Sequence, residues 1–297
     1  MSHQDPGIHP PSYRLPATAH VGRVRLAVSN LERSIAFYRD IIGLAVQSSD
    51  AHTASLGPHD TDKVLLELEE QPGLKPVRAR SRLGLYHTAF LLPTRDALAS
   101  FVQHLADRGA QFGAADHLFS EALYLTDPDG LEVEVYADIR RDRWVYERRA
   151  EGVELIGAVK PLNFAHLLQT PPEKWQGAPA GTTVGHMHFY VGDLAQGRAF
   201  YHAALGMSIA SWSLPNALFV SAGGYHHHVG FNTWAARSGP ATDQDARLLW
   251  WELILPDAES IRQTKASLEA AGYPAADNTF ADPWGIRMAL KVDTALL

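Results

Sequence analysis

The chain has 297 residues, 46% of them apolar and 20% charged, the make-up of a globular protein too long for one ordinary core, so two domains are expected. A formal charge of -7 argues against a nucleic-acid surface, which needs clustered Lys and Arg, and no apolar run reaches the roughly 20 residues of a membrane span, so neither a nucleic acid nor a membrane is an expected partner. No cysteine is present, which excludes disulfides and thiolate chemistry and leaves His, Asp and Glu as metal ligands; with a polar start in place of a signal peptide's apolar core, the expected location is the cytoplasm.

Residues 1–20 contain Pro6, Pro10, Pro11 and Pro16, which forbid a continuous helix, and read as an N-terminal arm in which His3, His9 and His20 are solvated. Then Val24, Leu26 and Val28 alternate as in a half-buried strand, Ser29-x-x-Glu32 reads as a capping box, and Leu31, Ile35, Tyr38 and Ile42 recur at helical spacing until Gly43. Strand-like segments follow at 54–56 and 63–68. A second unit opens with a strand at 83–93, continues as an amphipathic helix through Phe101 and Leu105 to Gly109, and closes with Ala122–Leu125, the turn Asp127-Pro128-Asp129-Gly130 and a strand to Tyr136. These two modules fill 21–137. Residues 138–183 are charged, proline-bearing and aperiodic, a connector with a short helix near Asn163–Leu168 and with Trp144 and Trp175 pinning it to the domains. Such length between compact units implies a surface crossing or a functional cover.

From residue 184 to 297 the plan repeats. Gly22, Arg23, Leu31, Phe37-Tyr38 and Gly43 recur 163 positions later as Gly185, His186, Leu194, Phe200-Tyr201 and Gly206, and Pro93 recurs as Pro256. Four similar units of strand, helix and strands, in two duplicated halves, are the expected fold.

Duplication makes each copy a control for the others. His87 of module 2 faces Trp250 of module 4, Glu134 faces Ala289, and His186 of module 3 faces Arg23 of module 1, so the ligand types lie in modules 2 and 3 alone. Two imidazoles and a carboxylate with the remaining positions open suit ferrous iron. Parity does not choose between His186 and His188, or between Glu132 and Glu134, because each pair shares a strand face. The run Tyr225-His226-His227-His228-Val229-Gly230-Phe231, if a strand, sends His227 to one face and its neighbours to the other, and one of those faces offers a general acid or base. His117 and Tyr124 are candidates for polar groups beside the centre.

These residues resemble the vicinal-oxygen-chelate superfamily, and within it the extradiol ring-cleaving catechol 2,3-dioxygenases. The likeness runs over 21–291 and rests on the repeated Val-Gly openings, Gly84-Leu85-Tyr86-His87, Ser120-Glu121-Ala122-Leu123-Tyr124-Leu125-x-Asp127-Pro128-Asp129-Gly130 and Ser221-Ala222-Gly223-Gly224-Tyr225-His226-His227-His228. It implies an α+β fold of four βαβββ modules paired into cupped mixed sheets with helices outside. It also implies Fe(II), with Mn(II) or another divalent metal as alternatives, on His87, Glu134 and His186, an acid-base role for His227 and a substrate-oxygen contact for Tyr124. The substrates would be a small aromatic diol and O2. One departure from the family pattern matters: two-domain members draw all three ligands from modules 3 and 4, where this chain has Trp250 and Ala289. An active cup from modules 2 and 3, within one chain or between two, resolves it and leaves homo-oligomerisation open. The rival readings are a non-oxidative glyoxalase-like isomerase or lyase on Ni, Zn or Mn, and a resistance-type protein that binds an aromatic ligand.

Overall fold

The computed structural model describes residues 6–276 and 278–293; His3 lies outside them. Two mixed sheets carry the chain. The eight-stranded sheet runs, edge to edge, Ser208–Ser211, Ala217–Ser221, Val229–Asn232, Thr183–Tyr190, Gly84–Leu91, Glu132–Asp138, Ser120–Thr126 and Gly113–Asp116. It is therefore built from modules 2 and 3 of a single chain. The seven-stranded sheet runs Thr279–Ala281, Arg287–Val292, Arg247–Leu255, His20–Val28, Leu66–Glu70, Thr53–Gly57 and Ala45–Ser49, uniting modules 1 and 4. Among the described residues module 4 shows two strands after its helix Ala258–Ala270, one fewer than the full pattern.

Each sheet joins its halves through one antiparallel pair, Thr183–Tyr190 on Gly84–Leu91 and His20–Val28 on Arg247–Leu255. Side chains alternate across these strands. Met187, Phe189, Val133, Val135 and Phe90 enter the shared core with Val24, Leu26 and Trp251, and the rings of Phe189 and Trp251 meet at 6.0 Å between the sheets. The opposite parity, His186, His188, His87, Glu132 and Glu134, faces a cup.

Helix Leu31–Phe37 starts from Asn30, whose side chain accepts the Arg33 amide, rather than from Ser29. The Ser29 amide and hydroxyl both donate to buried Asp129 instead, tying module 1 to the turn of module 2 at 2.8 and 2.5 Å. The same tie recurs through tyrosines: Tyr38 donates to Asp127 at 3.2 Å, and Tyr201 donates to Asp282 at 2.9 Å. In both turns that carboxylate also accepts two backbone amides, those of Asp129 and Leu131 or of Trp284 and Ile286. Gly130 holds φ +86, and a side chain there would strike the Val77 carbonyl, so only glycine serves.

The leading residues pack rather than trail. Gly7 and Ile8 bridge to Val153 and Ile209, Leu15 is buried, and the Tyr13 hydroxyl meets Thr264 at 2.9 Å. His9 contacts Ser208, and His20 opens the first strand. The strand expected over 63–68 begins only at Leu66. Between residues 138 and 183 the short helix Phe164–Leu167 forms behind its cap Asn163. Trp144 is buried with Phe119, Leu155 and Tyr225, and the Trp175 ring lies 5.2 Å from that of Phe101. No helix among the described residues is long and apolar enough to cross a membrane.

Candidate metal centre

Strand register explains how three distant residues meet. His186, Ala89 and Glu134 lie in one row across three adjacent strands, and His188, His87 and Glu132 form the next row. Ala89 leaves a gap between its neighbours, over which the side chains of His186 and Glu134 converge while His87 leans in from the next row. The Glu134 Oε2 stands 3.0 Å from His87 Nε2 and 3.3 Å from His186 Nε2, and the two nitrogens are 3.3 Å apart. Ligands about 2.1 Å from one ion are separated by about 3 Å when adjacent, so the spacing suits a common ion. Gly185 permits this row: a side chain there would overlap the Tyr136 hydroxyl, 1.9 Å away.

The electrostatics agree. Burial alone would raise the Glu134 carboxyl, but the two imidazoles hold it well below the usual carboxylate range. Burial pushes His186 down to about 4. An ionised carboxylate beside an uncharged imidazole, buried at 2% exposure, calls for a cation. Neither His87 Nδ1 nor His186 Nδ1 has a hydrogen-bond partner; packing orients these rings, with His186 4.1 Å from the His227 ring and 4.9 Å from Tyr136. His188 shares the face but is engaged elsewhere, since Asn232 donates to its Nε2 at 2.9 Å. Glu132 lies one row away. A second grouping, His186, His226 and His227, also falls within ligating distance, but both nitrogens of His226 are occupied, one by His227 at 2.8 Å and one by Asp138 at 3.0 Å.

A cavity of about 370 Å³ opens above the centre, within the range of ligand pockets. His87, Glu134, His186, His188 and His227 form its base, Tyr86, Phe119, Phe219 and Trp234 are among its walls, and Gly157–Val159 with Ser211 and Ser213–Pro215 border it. The long connector thus lines the pocket. Its Ala158 carbonyl accepts from His117 Nδ1 at 2.8 Å, which leaves His117 Nε2 to accept the Tyr124 hydroxyl at 2.6 Å. Burial pushes the Tyr124 phenol well above its ordinary value, so it remains protonated.

His226–His228 do not form the expected strand. Gly223 and Gly224 turn the chain with φ +60 and +67, and the strand starts at Val229. Freed from alternation, His226 and His227 bond to each other, and His227 reaches the cavity. Sequence reasoning missed Tyr86, Phe219, Trp234 and Asp138. Tyr86 had a signal, its place beside His87; the others are brought in by turns and sheet pairing that carry none.

In the other cup the corresponding row holds Arg23, Glu252 and Ala289, with the register of Glu252 on Ala289 matching that of Ala89 on Glu134. Arg23 pairs with Glu252 and Glu67 at 2.8 Å each, and its guanidinium lies 5.9 Å over Trp250. A covalent cation stands where the first cup would take an ion.

The profile of the Glyoxalase/Bleomycin resistance protein/Dioxygenase superfamily matches residues 19–135. Catechol-2,3-dioxygenase of Bacillus subtilis (strain 168) is 40% identical over 256 residues, covering 86% of this chain and 89% of that protein. The chain belongs to this superfamily. Within it, the protein is a dioxygenase-like enzyme, similar to catechol-2,3-dioxygenase over most of its length. Solved members of the superfamily share the fold. A candidate dioxygenase from Bacillus subtilis subsp. subtilis str. 168 superposes with a TM-score of 0.62 at 11% identity over 95% of this chain and 87% of its own. Glyoxalase I from Zea mays superposes with 0.52 at 15% identity over 92% of each.

Proposed function

We propose that the protein is an extradiol dioxygenase that adds O2 to a catechol-type diol, breaking the ring bond beside the two hydroxyls and leaving both oxygen atoms in a ring-opened product. The observation that supports this most is the convergence of His87 Nε2, His186 Nε2 and Glu134 Oε2 within 3.3 Å at the base of a cavity of ring-accepting size. Those three residues would hold Fe(II), or Mn(II) in its place; the ion would supply open positions and electrons that bring diol and oxygen together.

The chain's own groups do the rest. Phe219, Phe119 and Trp234 enclose a planar ring and keep water from it. His227 Nε2 is buried with no partner, and burial keeps its ring from protonating, so it is the group that would accept a diol proton. Tyr124 lies against His87, ring to ring at 5.8 Å, where its hydroxyl can meet a substrate oxygen; His117 orients that hydroxyl. The reading takes the protein as a cytoplasmic enzyme of aromatic catabolism, in keeping with a chain free of cysteine.

The test is oxygen uptake after anaerobic Fe(II) loading, with catechol as substrate. One O2 consumed per diol, with a yellow ring-opened product, is expected. Turnover of a substrate without oxygen would point to the glyoxalase-like reading, and tight diol binding by Glu134→Ala without any turnover in the wild type would point to a binding protein.

A further inference from the structure

Behind His227 runs a chain of hydrogen bonds whose direction is set at its far end. Asp138 Oδ1 lies 3.0 Å from His226 Nε2, and its side chain is 30% exposed. His226 Nδ1 lies 2.8 Å from His227 Nδ1, and His227 Nε2 ends the chain with no partner on the cavity side. An ionised carboxylate only accepts, so His226 Nε2 carries a proton and donates. A neutral imidazole has one N–H, which leaves His226 Nδ1 bare and able only to accept. His227 Nδ1 must therefore donate, and His227 Nε2 is left with a free lone pair.

The surroundings hold this order in place. Phe119 stacks on His226 with centroids 4.6 Å apart and planes 15° from parallel, and Trp144 edges it at 5.7 Å. His226 is fully buried, packed against the imidazoles of His186 and His227 with ring centroids 5.8 and 4.7 Å away. Asp138 is itself fixed by the Tyr225 hydroxyl, which donates to it at 3.1 Å.

We propose that Asp138, acting through His226, holds His227 in the tautomer whose Nε2 is an unprotonated acceptor facing the cavity. Asp138 and His226 are positioning residues: neither lines the cavity, and each acts by dictating where the next ring carries its proton. The hydrogen-bond order follows from the geometry of the chain with an accepting Asp138 and a neutral His226; its use in turnover rests on the dioxygenase reading above.

Two readouts separate these. Side-chain 15N spectra of the full-length, metal-free protein, with His227 located by the signal lost in His227→Asn, report which ring nitrogen carries the proton. A bare His227 Nε2 is expected in the wild type. In Asp138→Asn the side chain can also donate, the fixed direction is lost, and His227 protonated at Nε2 becomes populated. With the iron-loaded enzyme and catechol, that variant should lose kcat by about 10- to 100-fold with KM changed less than about threefold, less than the loss of about 10⁴-fold seen where a buried Asp orients a catalytic His directly. Tyr225→Phe, which removes one donor to Asp138 but leaves the chain intact, should keep the wild-type tautomer and nearly all of kcat.

A proton found on His227 Nε2 in the wild type overturns the proposal. So does an unchanged tautomer in Asp138→Asn, or a Tyr225→Phe variant that loses as much activity as Asp138→Asn with its tautomer intact, since that would mark simple structural support. A wild-type protein that opens no diol yet shows a bare Nε2 sinks the dioxygenase reading and leaves the positioning assignment standing.

Discussion

Ala89 is as much a part of the centre as the three residues around it. It sits between His186 and Glu134 in the same row, and the absence of a long side chain there is what lets those two meet. The corresponding residue of the other cup is Glu252, which fills the gap and takes Arg23 as its partner. Comparing duplicated modules in the sequence pointed to modules 2 and 3, because Trp250, Ala289 and Arg23 stand in the places matching His87, Glu134 and His186, but it left His186 and His188, and Glu132 and Glu134, unseparated. Choosing His186 over His188 needed the Asn232 contact, which no periodicity reveals. Replacing His227 by Asn removes the cavity-facing acceptor while leaving the converging set whole, so kcat should fall by about 10²- to 10⁴-fold with metal content unchanged. Stopped-flow or oxygen-electrode rates on protein of known metal content measure it, and a loss of metal in that variant would place His227 among the ligands instead.

Among the elements, the two central antiparallel pairs decide the outcome. The strands themselves were legible from alternation, and the module order from the 163-residue repeat, since both are local or self-referential signals. The His226–His228 segment was not, because two positive-φ glycines just before it break the alternation that a strand reading assumes. The Ser29 cap was misread for a related reason: Ser29 serves a distant carboxylate, Asp129, and sequence spacing sees only the near partner. Gly185 belongs to this scale. Its missing side chain lets the Tyr136 hydroxyl pass at 1.9 Å from where a Cβ would be, with Leu91 behind it at 2.9 Å. Gly185→Ala should therefore cost about 1–3 kcal/mol through overpacking, read as a lower denaturation midpoint. A midpoint unchanged by the substitution would mean the strand shifts freely there.

The whole molecule is two cups built from the outer and inner pairs of modules, one with the candidate ligand set and one with an internal ion pair. The pairing of module 2 with module 3 was the economical resolution of an incomplete ligand set in either sequential half, and the eight-stranded sheet shows it within one chain. The two sheets are also fastened at their rims, where Arg82, ahead of a strand in one, holds Asp245, ahead of a strand in the other, at 2.8 Å. The hydrogen bond from Arg82 holds the Asp245 carboxyl down to about 2. Because that folded value lies below the ordinary one near 4, the contact contributes fully above about pH 4 and is lost as pH falls through about 2. Asp245→Asn should therefore lower stability at neutral pH and flatten its decline between pH 4 and 2; equal slopes for variant and wild type would contradict the assignment.

The central claim is that one ion is held between His87, Glu134 and His186 and none in the cup of Arg23 and Glu252. Anaerobic Fe(II) binding, counted per chain in the wild type, Glu134→Ala and Arg23→Ala, tests it most directly. The account predicts one ion per chain in the wild type and in Arg23→Ala, and at least a tenfold loss of affinity in Glu134→Ala. Two ions per chain, or full affinity without Glu134, would contradict it.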